Sequence, residues 1–388
     1  MKKNILCCLM FVFIGITHAQ PITLLSDLII ATVPATHDRI IIRDVNTGES
    51  RILTFPIIGE LHLWDFSPDG CRVLFTVDST SVGMPKLYTA RLDGSDVRDM
   101  VQFTDLLPND WGVWEPTWSI NGKIAFTMYR MIQGARGLEK QSHIAWIDET
   151  GGTPSFYSRT GREFTPAWSP DGAWLAYVSY DPRVPGADAF STAVPTPQGQ
   201  AGPPLPTIDE ADLWVVSADG ATKYQLTRFE VGSMRSPRWS PDSQIISFIY
   251  SGRPFHDTFW MVANSPGAIL TRLSEKASLT LDHVWFPDGS AMLASVRNLR
   301  DVQQNYLWVI PLIGNADNSA TIFIDDPLFA YTDFPRFSPD GRYLAFRNEY
   351  RLVIYDLSNG TWVFYDEDDL GNTPPVWSPI GYDGEGNC

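Results

Sequence analysis

Arginine is the residue type in this chain best suited to recognition chemistry. Arg130, Arg253, Arg297, Arg300 and Arg347 stand at or just beyond the ends of apolar runs, accompanied by His256, Trp111 and Trp114. A guanidinium fork reads carboxylates, sulfates and phosphates through paired N–H donors, and a neighbouring aromatic face adds flat apolar area. With 29 Lys and Arg against 45 Asp and Glu, net charge −16, these cations are a minority on an acidic body. The competing reading is local pairing with Asp105, Asp110, Asp181, Glu230 or Asp301, as surface charges commonly do at little energetic effect.

Other chemistry is thinner. His37, His62, His143, His256 and His283 include no two at ligand spacing, so no metal is expected, unless the fold gathers His62, His256 and His283 near one axis. The acidic run Asp366-Glu367-Asp368-Asp369 lacks the alternating ligands and closing Glu of an EF-hand and reads as a solvated loop. There is no Gly-x-Ser-x-Gly elbow, no paired-histidine zinc motif, no Cys-x-x-Cys and no phosphate loop, so no catalytic residue and no cofactor are assigned. The acidic balance argues against nucleic acid as a partner.

These residues must be held by strands, because one hairpin is written repeatedly along the chain. In Phe164 to Tyr180 an apolar strand ends at Trp168, Ser169-Pro170-Asp171-Gly172 makes a turn, and Trp174 to Val178 runs apolar like a strand buried on both faces. In register with it lie Ser67-Pro68-Asp69-Gly70, Ser119-Ile120-Asn121-Gly122, Ser240-Pro241-Asp242-Ser243, Phe286-Pro287-Asp288-Gly289 and Ser338-Pro339-Asp340-Gly341. Each follows an aromatic and precedes an apolar strand, and a half copy, Trp377-Ser378-Pro379, comes last. The third turn position recurs at intervals of 52, 50, 71, 46 and 52 residues. A repeat near fifty residues made only of strands predicts a β-propeller.

The aromatic-Ser-Pro-Asp-Gly-x-x-(Leu/Ile)-Ala-Phe pattern resembles the PD40, or TolB-like, propeller repeat, and through it the propeller halves of tricorn and dipeptidyl-peptidase-type proteases. The resemblance covers nearly the whole chain after residue 19. It implies an all-β ring that offers a rim or a central funnel to a protein, peptide or glycan. The α/β domain that precedes the propeller of TolB has no counterpart, since residues before Trp64 read as strands.

Leu28 to Val33, Arg39 to Val45 and Arg51 to Phe55 make three N-terminal strands, and Pro374 to Ser378 makes one orphan strand. Together they complete one four-stranded blade and close the ring, which removes exposed edges. With six full blades between, the expected fold is a seven-bladed propeller, six or eight being the alternatives. The domain plan is a signal peptide over 1–19, then one propeller over 20–388 with a Pro/Gly-rich insertion at 181–210. Met1-Lys2-Lys3, an apolar Ile5 to Ile16 and Thr17-His18-Ala19 read as that export signal, so a periplasmic or extracellular protein without a membrane span is expected, as a monomer. Outside the leader two cysteines remain, Cys71 and Cys388, which either form a disulfide or stay free.

If all Asp-Gly turns share one rim, strand alternation sends the arginine-bearing loops to the other. The resulting expectation is a non-enzymatic exported propeller that binds a protein, peptide or anionic glycan there. The alternative is a metal-dependent polysaccharide lyase, or a glycoside or peptide hydrolase, working in the funnel.

Overall fold

The computed structural model describes residues 28–78, 84–103, 110–134, 137–158, 161–180, 211–229, 232–252, 257–274, 279–297, 304–314, 319–365, 370–371 and 373–379. It forms seven four-stranded antiparallel sheets, so the expected seven-bladed propeller is what the chain builds. Blade 1 is composite, with the order Val376–Trp377, Ile29–Thr32, Ile40–Asp44, Ser50–Leu53 from the axis outward. Blades 2 to 7 span 60–99, 112–156, 163–225, 233–272, 279–322 and 332–365. Their inner strands contact one another in ring order, and the strand Val376–Trp377 contacts the inner strands of both blade 2 and blade 7.

The turn chemistry read from the sequence is present in detail. Ser169 Oγ donates to Asp171 Oδ1 at 2.6 Å and accepts from Trp174 N at 2.9 Å, while Asp171 Oδ1 accepts from Ala173 N at 3.0 Å. Gly172 has φ 68°, and a Cβ there would lie 2.5 Å from Asn121 Nδ2 of the neighbouring blade, so both dihedral and packing require glycine. In blade 5 Ser243 takes the equivalent place at φ 61°, and its Oγ accepts a bond from Asp171 N at 3.1 Å.

The core lies between blades. Ala176, Val178 and Leu213 of blade 4 pack with Met234, Trp239 and Phe248 of blade 5, while blades 1 and 2 share Ile40, Ile42, Leu63 and Phe75. The repeat aromatic stitches these interfaces. Trp239, Trp285 and Trp377 each donate the indole N–H to a backbone carbonyl of the preceding blade's inner strand: Ala167 at 2.9 Å, Arg238 at 3.2 Å and Arg336 at 3.0 Å. Burial of the ring suits an aromatic to the place before every turn, and at these three positions the indole bond to the preceding blade adds to it.

Two features were not anticipated. Each inner strand of blades 2 to 7 carries a register shift. Four of these put a non-glycine residue before proline at positive φ: Glu115 (50°), Thr165 (52°), Ser236 (52°) and Phe334 (53°). Such bulges re-aim side chains and persist only where the surroundings enforce them. Second, the stretch holding Arg130, read as a loop, is strand: Lys123–Gly134 pairs with Gly137–Asp148 along its full length, 12 residues against 7 in most equivalent strands. This hairpin stands out from blade 3 on the rim opposite the Asp-Gly turns.

Candidate ligand-binding site

A cavity of about 560 Å³ opens between blades 6 and 7 on that same rim, lined by Arg297, Asn305, Tyr331, Asp333, Phe334, Arg347, Glu349 and Tyr350. Strand pairing builds it. Arg297 ends the second strand of blade 6, opposite Asn305 at the start of the third, and its Nε donates to Asn305 Oδ1 at 3.0 Å. Asn305 N in turn donates to Ala330 O at 2.5 Å, and Asn305 bridges Tyr331, joining the blades. From blade 7, Asp333 on the inner strand stands opposite Arg347 on the second. Glu349 and Tyr350 form the following turn, with Glu349 at φ 57° and its N–H bonded to Tyr331 O at 2.8 Å.

The two arginines differ in what they have left to offer. Arg347 is closed: Nε and Nη2 grip Asp333 at 2.7 and 2.6 Å, Nη1 donates to Gly371 O at 3.0 Å, and the guanidinium lies over Phe334. Burial pushes the Asp333 carboxyl up despite Arg347, with Asp282 adding to the rise. Arg297 has no carboxylate partner among the described residues. Tyr331 (41% exposed) and Tyr350 (65%) stand at the mouth.

The remaining candidates scatter. Arg130 sits on the projecting hairpin, over the ring of buried Trp111, 3.7 Å from Asp110 and bonded to Gln141 Oε1 at 2.9 Å. Trp114 is wedged edge-on between His62 and Trp64. Local pairing therefore holds for Arg130 and Arg347, and Arg235 is bound to Asp257. Arg253, His256, Arg300 and Cys388 lie outside the described residues, as do 1–19 and 181–210. Cys71 is disulfide-bonded.

The axis holds a second set of charges that sequence reasoning missed. The residue just before the repeat aromatic is half-buried in all seven blades: Asp65, Thr117, Ala167, Arg238, Val284, Arg336 and Val376. Asp282 is clamped by Arg238 at 3.2 Å and Arg336 at 2.6 Å, from the blades on either side. Burial alone would raise its pKa, but Arg336 and then Arg238 hold it well below the carboxylate range. Asp65 has no cation partner among the described residues. Its oxygens accept from Trp118 N and Phe66 N, both at 2.9 Å, and burial pushes it up to about 6. Glu115 is likewise raised by burial, and accepts from Thr165 N of the next blade at 3.1 Å. The signal available was a charge one place before the aromatic, as in Asp65, Arg238 and Arg336.

Among the described residues the histidines fall on different blades, and His256 lies outside them. His62 lies beside His37, with ring centroids 5.0 Å apart, on the blade 1–2 side. His283 is wholly buried in blade 6, joined to Ser247 Oγ at 2.9 Å, and burial brings it down to about 3. Among the described residues no group of three or more His, Cys, Asp or Glu is arranged to hold a metal, and no helix is long and apolar enough to cross a membrane.

No family model matches the chain. Among curated proteins, an uncharacterized protein of Agrobacterium fabrum is 31% identical over 123 residues, 30% of this chain and 39% of that relative. The chain thus matches about two fifths of that relative's length. Among solved structures, an oligogalacturonate lyase in complex with manganese aligns at TM-score 0.53 and 14% identity, over 87% of this chain and 89% of that one. A prolyl endopeptidase aligns at 0.55 and 13%, over 84% of this chain and 46% of that one. A candidate TolB from Agrobacterium tumefaciens aligns at 0.44 and 19%, over 91% and 95%. The likeness is to the propeller fold alone, which this chain shares with an oligogalacturonate lyase and a prolyl endopeptidase.

Proposed function

We propose that the protein is an exported propeller without catalytic machinery, which binds an anionic ligand, a glycan or an acidic protein or peptide, on the rim opposite its Asp-Gly turns. The observation that carries this reading is Arg297: a guanidinium without a carboxylate partner among the described residues, inside a cavity walled by exposed tyrosines. Concave sites with a few convergent polar groups are where ligands bind. The test is affinity for hexaglutamate and for an anionic polysaccharide, wild type against Arg297→Ala, at low and high salt. At least tenfold weaker binding in the variant, and weakening with salt, is expected for one of the two ligands. Equal affinity in the variant, or indifference to salt, sinks the reading. Arg347→Ala serves as the contrast: it leaves Asp333 buried and unpaired, so it should cost stability, about 3 kcal/mol, as well as any binding.

The competing enzymatic reading rests on Asp65 and Glu115, two carboxyls raised by burial on adjacent inner strands. Both spend oxygens on backbone N–H groups of the next blade, a structural duty that weighs against proton transfer to a substrate. Metal analysis of the purified protein together with turnover assays on uronate polymers separates the two: stoichiometric metal with turnover would replace the binding reading.

A further inference from the structure

The cavity between blades 6 and 7 is more selective than an anion patch. We infer that it is a subsite for a single sugar acid, a hexuronate whose carboxylate meets Arg297 and whose hydroxyls meet the cavity's own acids; this rests on the binding function proposed above.

The walls of the cavity differ in what they have free. Arg297 commits Nε to Asn305, which fixes the guanidinium and leaves its terminal nitrogens for one carboxylate. Among the described residues lining the cavity a second anionic group finds no second open fork, because Arg347 is already gripped by Asp333 through two bonds. It would instead meet Asp333 and Glu349, which share the cavity. Sulfated, phosphorylated or polyglutamate ligands therefore face like charge, whereas hydroxyl groups find acceptors. Each Asp333 oxygen takes one bond from Arg347 and keeps a further lone pair, and Glu349 is half exposed beside it, 3.9 Å from Arg351. Asn305 keeps its amide N–H donors for a ring or hydroxyl oxygen.

The third element is flat and apolar. Tyr331 and Tyr350 are exposed at the mouth, and Phe334 is fixed at φ 53° with the Arg347 guanidinium over its ring. Aromatic faces of this kind suit the C–H face of a pyranose. A volume of about 560 Å³ falls in the range of small-molecule sites. One carboxylate, several hydroxyl donors and an apolar ring face, together, describe a hexuronate better than an acidic peptide, which lacks the hydroxyls.

The test is a ligand-observed NMR titration of the intact protein with D-glucuronate, its neutral amide D-glucuronamide, and D-glucose. A ligand this small should bind with a Kd of roughly 1 mM. D-glucuronamide and D-glucose should bind at least tenfold more weakly. Arg297→Ala should lose tenfold or more for D-glucuronate while melting like wild type, and Tyr350→Ala, an exposed position that folding does not depend on, should lose at least threefold. Comparable binding of the amide, or undiminished binding in both variants, overturns the sugar-acid assignment. Hexaglutamate binding that depends on Arg297, with no response to D-glucuronate, also overturns it and leaves the broader binding function standing. Failure of both ligands and of the anionic polysaccharide removes both proposals.

Discussion

Asp65 and Asp282 occupy the same inner layer and titrate in opposite directions, because one faces two backbone N–H groups and the other two guanidinium groups. For Asp65, burial places the folded pKa at about 6, above the ordinary 3.8. The folded state then binds its proton more tightly than the unfolded chain, so this residue's contribution is full below pH ~4 and declines as pH rises through ~6. Asp65→Asn should remove that decline: the stability difference, wild type minus variant, should fall by about 1–3 kcal/mol between pH 4 and 7 in urea melts. A flat difference would mean Asp65 is solvated in the folded state. The place of Asp65, one before the repeat aromatic, was legible in the sequence, but the lack of a cation partner that sets its titration was not. The pairing of Arg347 was hidden as well: counting back from the turn puts Phe334 opposite it, and only the bulge between Asp333 and Arg336 brings Asp333 into that place. Tyr331 and Tyr350 lie in connections, where no repeat fixes a register.

Strands and turns were legible because each uses a local rule: a proline and an aspartate at the turn, a glycine past it, then a continuous apolar run. Gly94, Gly151, Gly220, Gly267, Gly314 and Gly360, in the turns between third and fourth strands, all adopt positive φ. The bulges were not legible. Proline after Glu115, Thr165, Ser236 and Phe334 argues against the left-handed region those residues occupy, so tertiary packing overrides a local rule. Indole stitching gives the element scale its own test. Trp→Phe removes the same atoms at each repeat, but Trp118 and Trp168 have buried N–H groups without an acceptor, whereas Trp239, Trp285 and Trp377 donate to the neighbouring blade. Replacement should cost about 1 kcal/mol more at the three bonded positions than at the two unbonded ones. Equal losses at all five, measured by denaturant unfolding, would show that the indole contributes by packing alone.

The seven-blade count and the composite blade followed from spacing and from three strands at one end and an orphan strand at the other, and the register now gives that closure its atoms. Ile30 pairs with Trp377 and Ala31 with Val376, and Ser378 N bonds to Ile29 O at 3.0 Å while Ser378 Oγ accepts from Ile29 N at 3.3 Å. Removing residues 373–388 should therefore lower the melting temperature by far more than trimming a tail normally does, because it opens blade 1 and strips the Trp377 indole from Arg336. An unchanged melting curve would mean that the remaining six blades hold the ring. Cys71 lies in a disulfide, for which we propose Cys388 as partner; peptide mapping of unreduced protein that pairs Cys71 elsewhere would refute this.

The closing pair also decides how the ring answers to tension. Ile29 begins its strand beside the place where Trp377 ends the other, so a pull that separates the two chain ends acts on adjacent points of one antiparallel ladder. It peels the ladder bond by bond instead of shearing all its bonds at once. The next tether met from the C-terminal side is Gly371, held by Arg347 at 3.0 Å and, through its own N–H, by Val33 O at 3.1 Å. With the disulfide of Cys71 reduced, stretching the molecule between its ends would thus open blade 1 first and then tug on Arg347 in the wall of the candidate cavity, so that load reaches the proposed binding site through one latch.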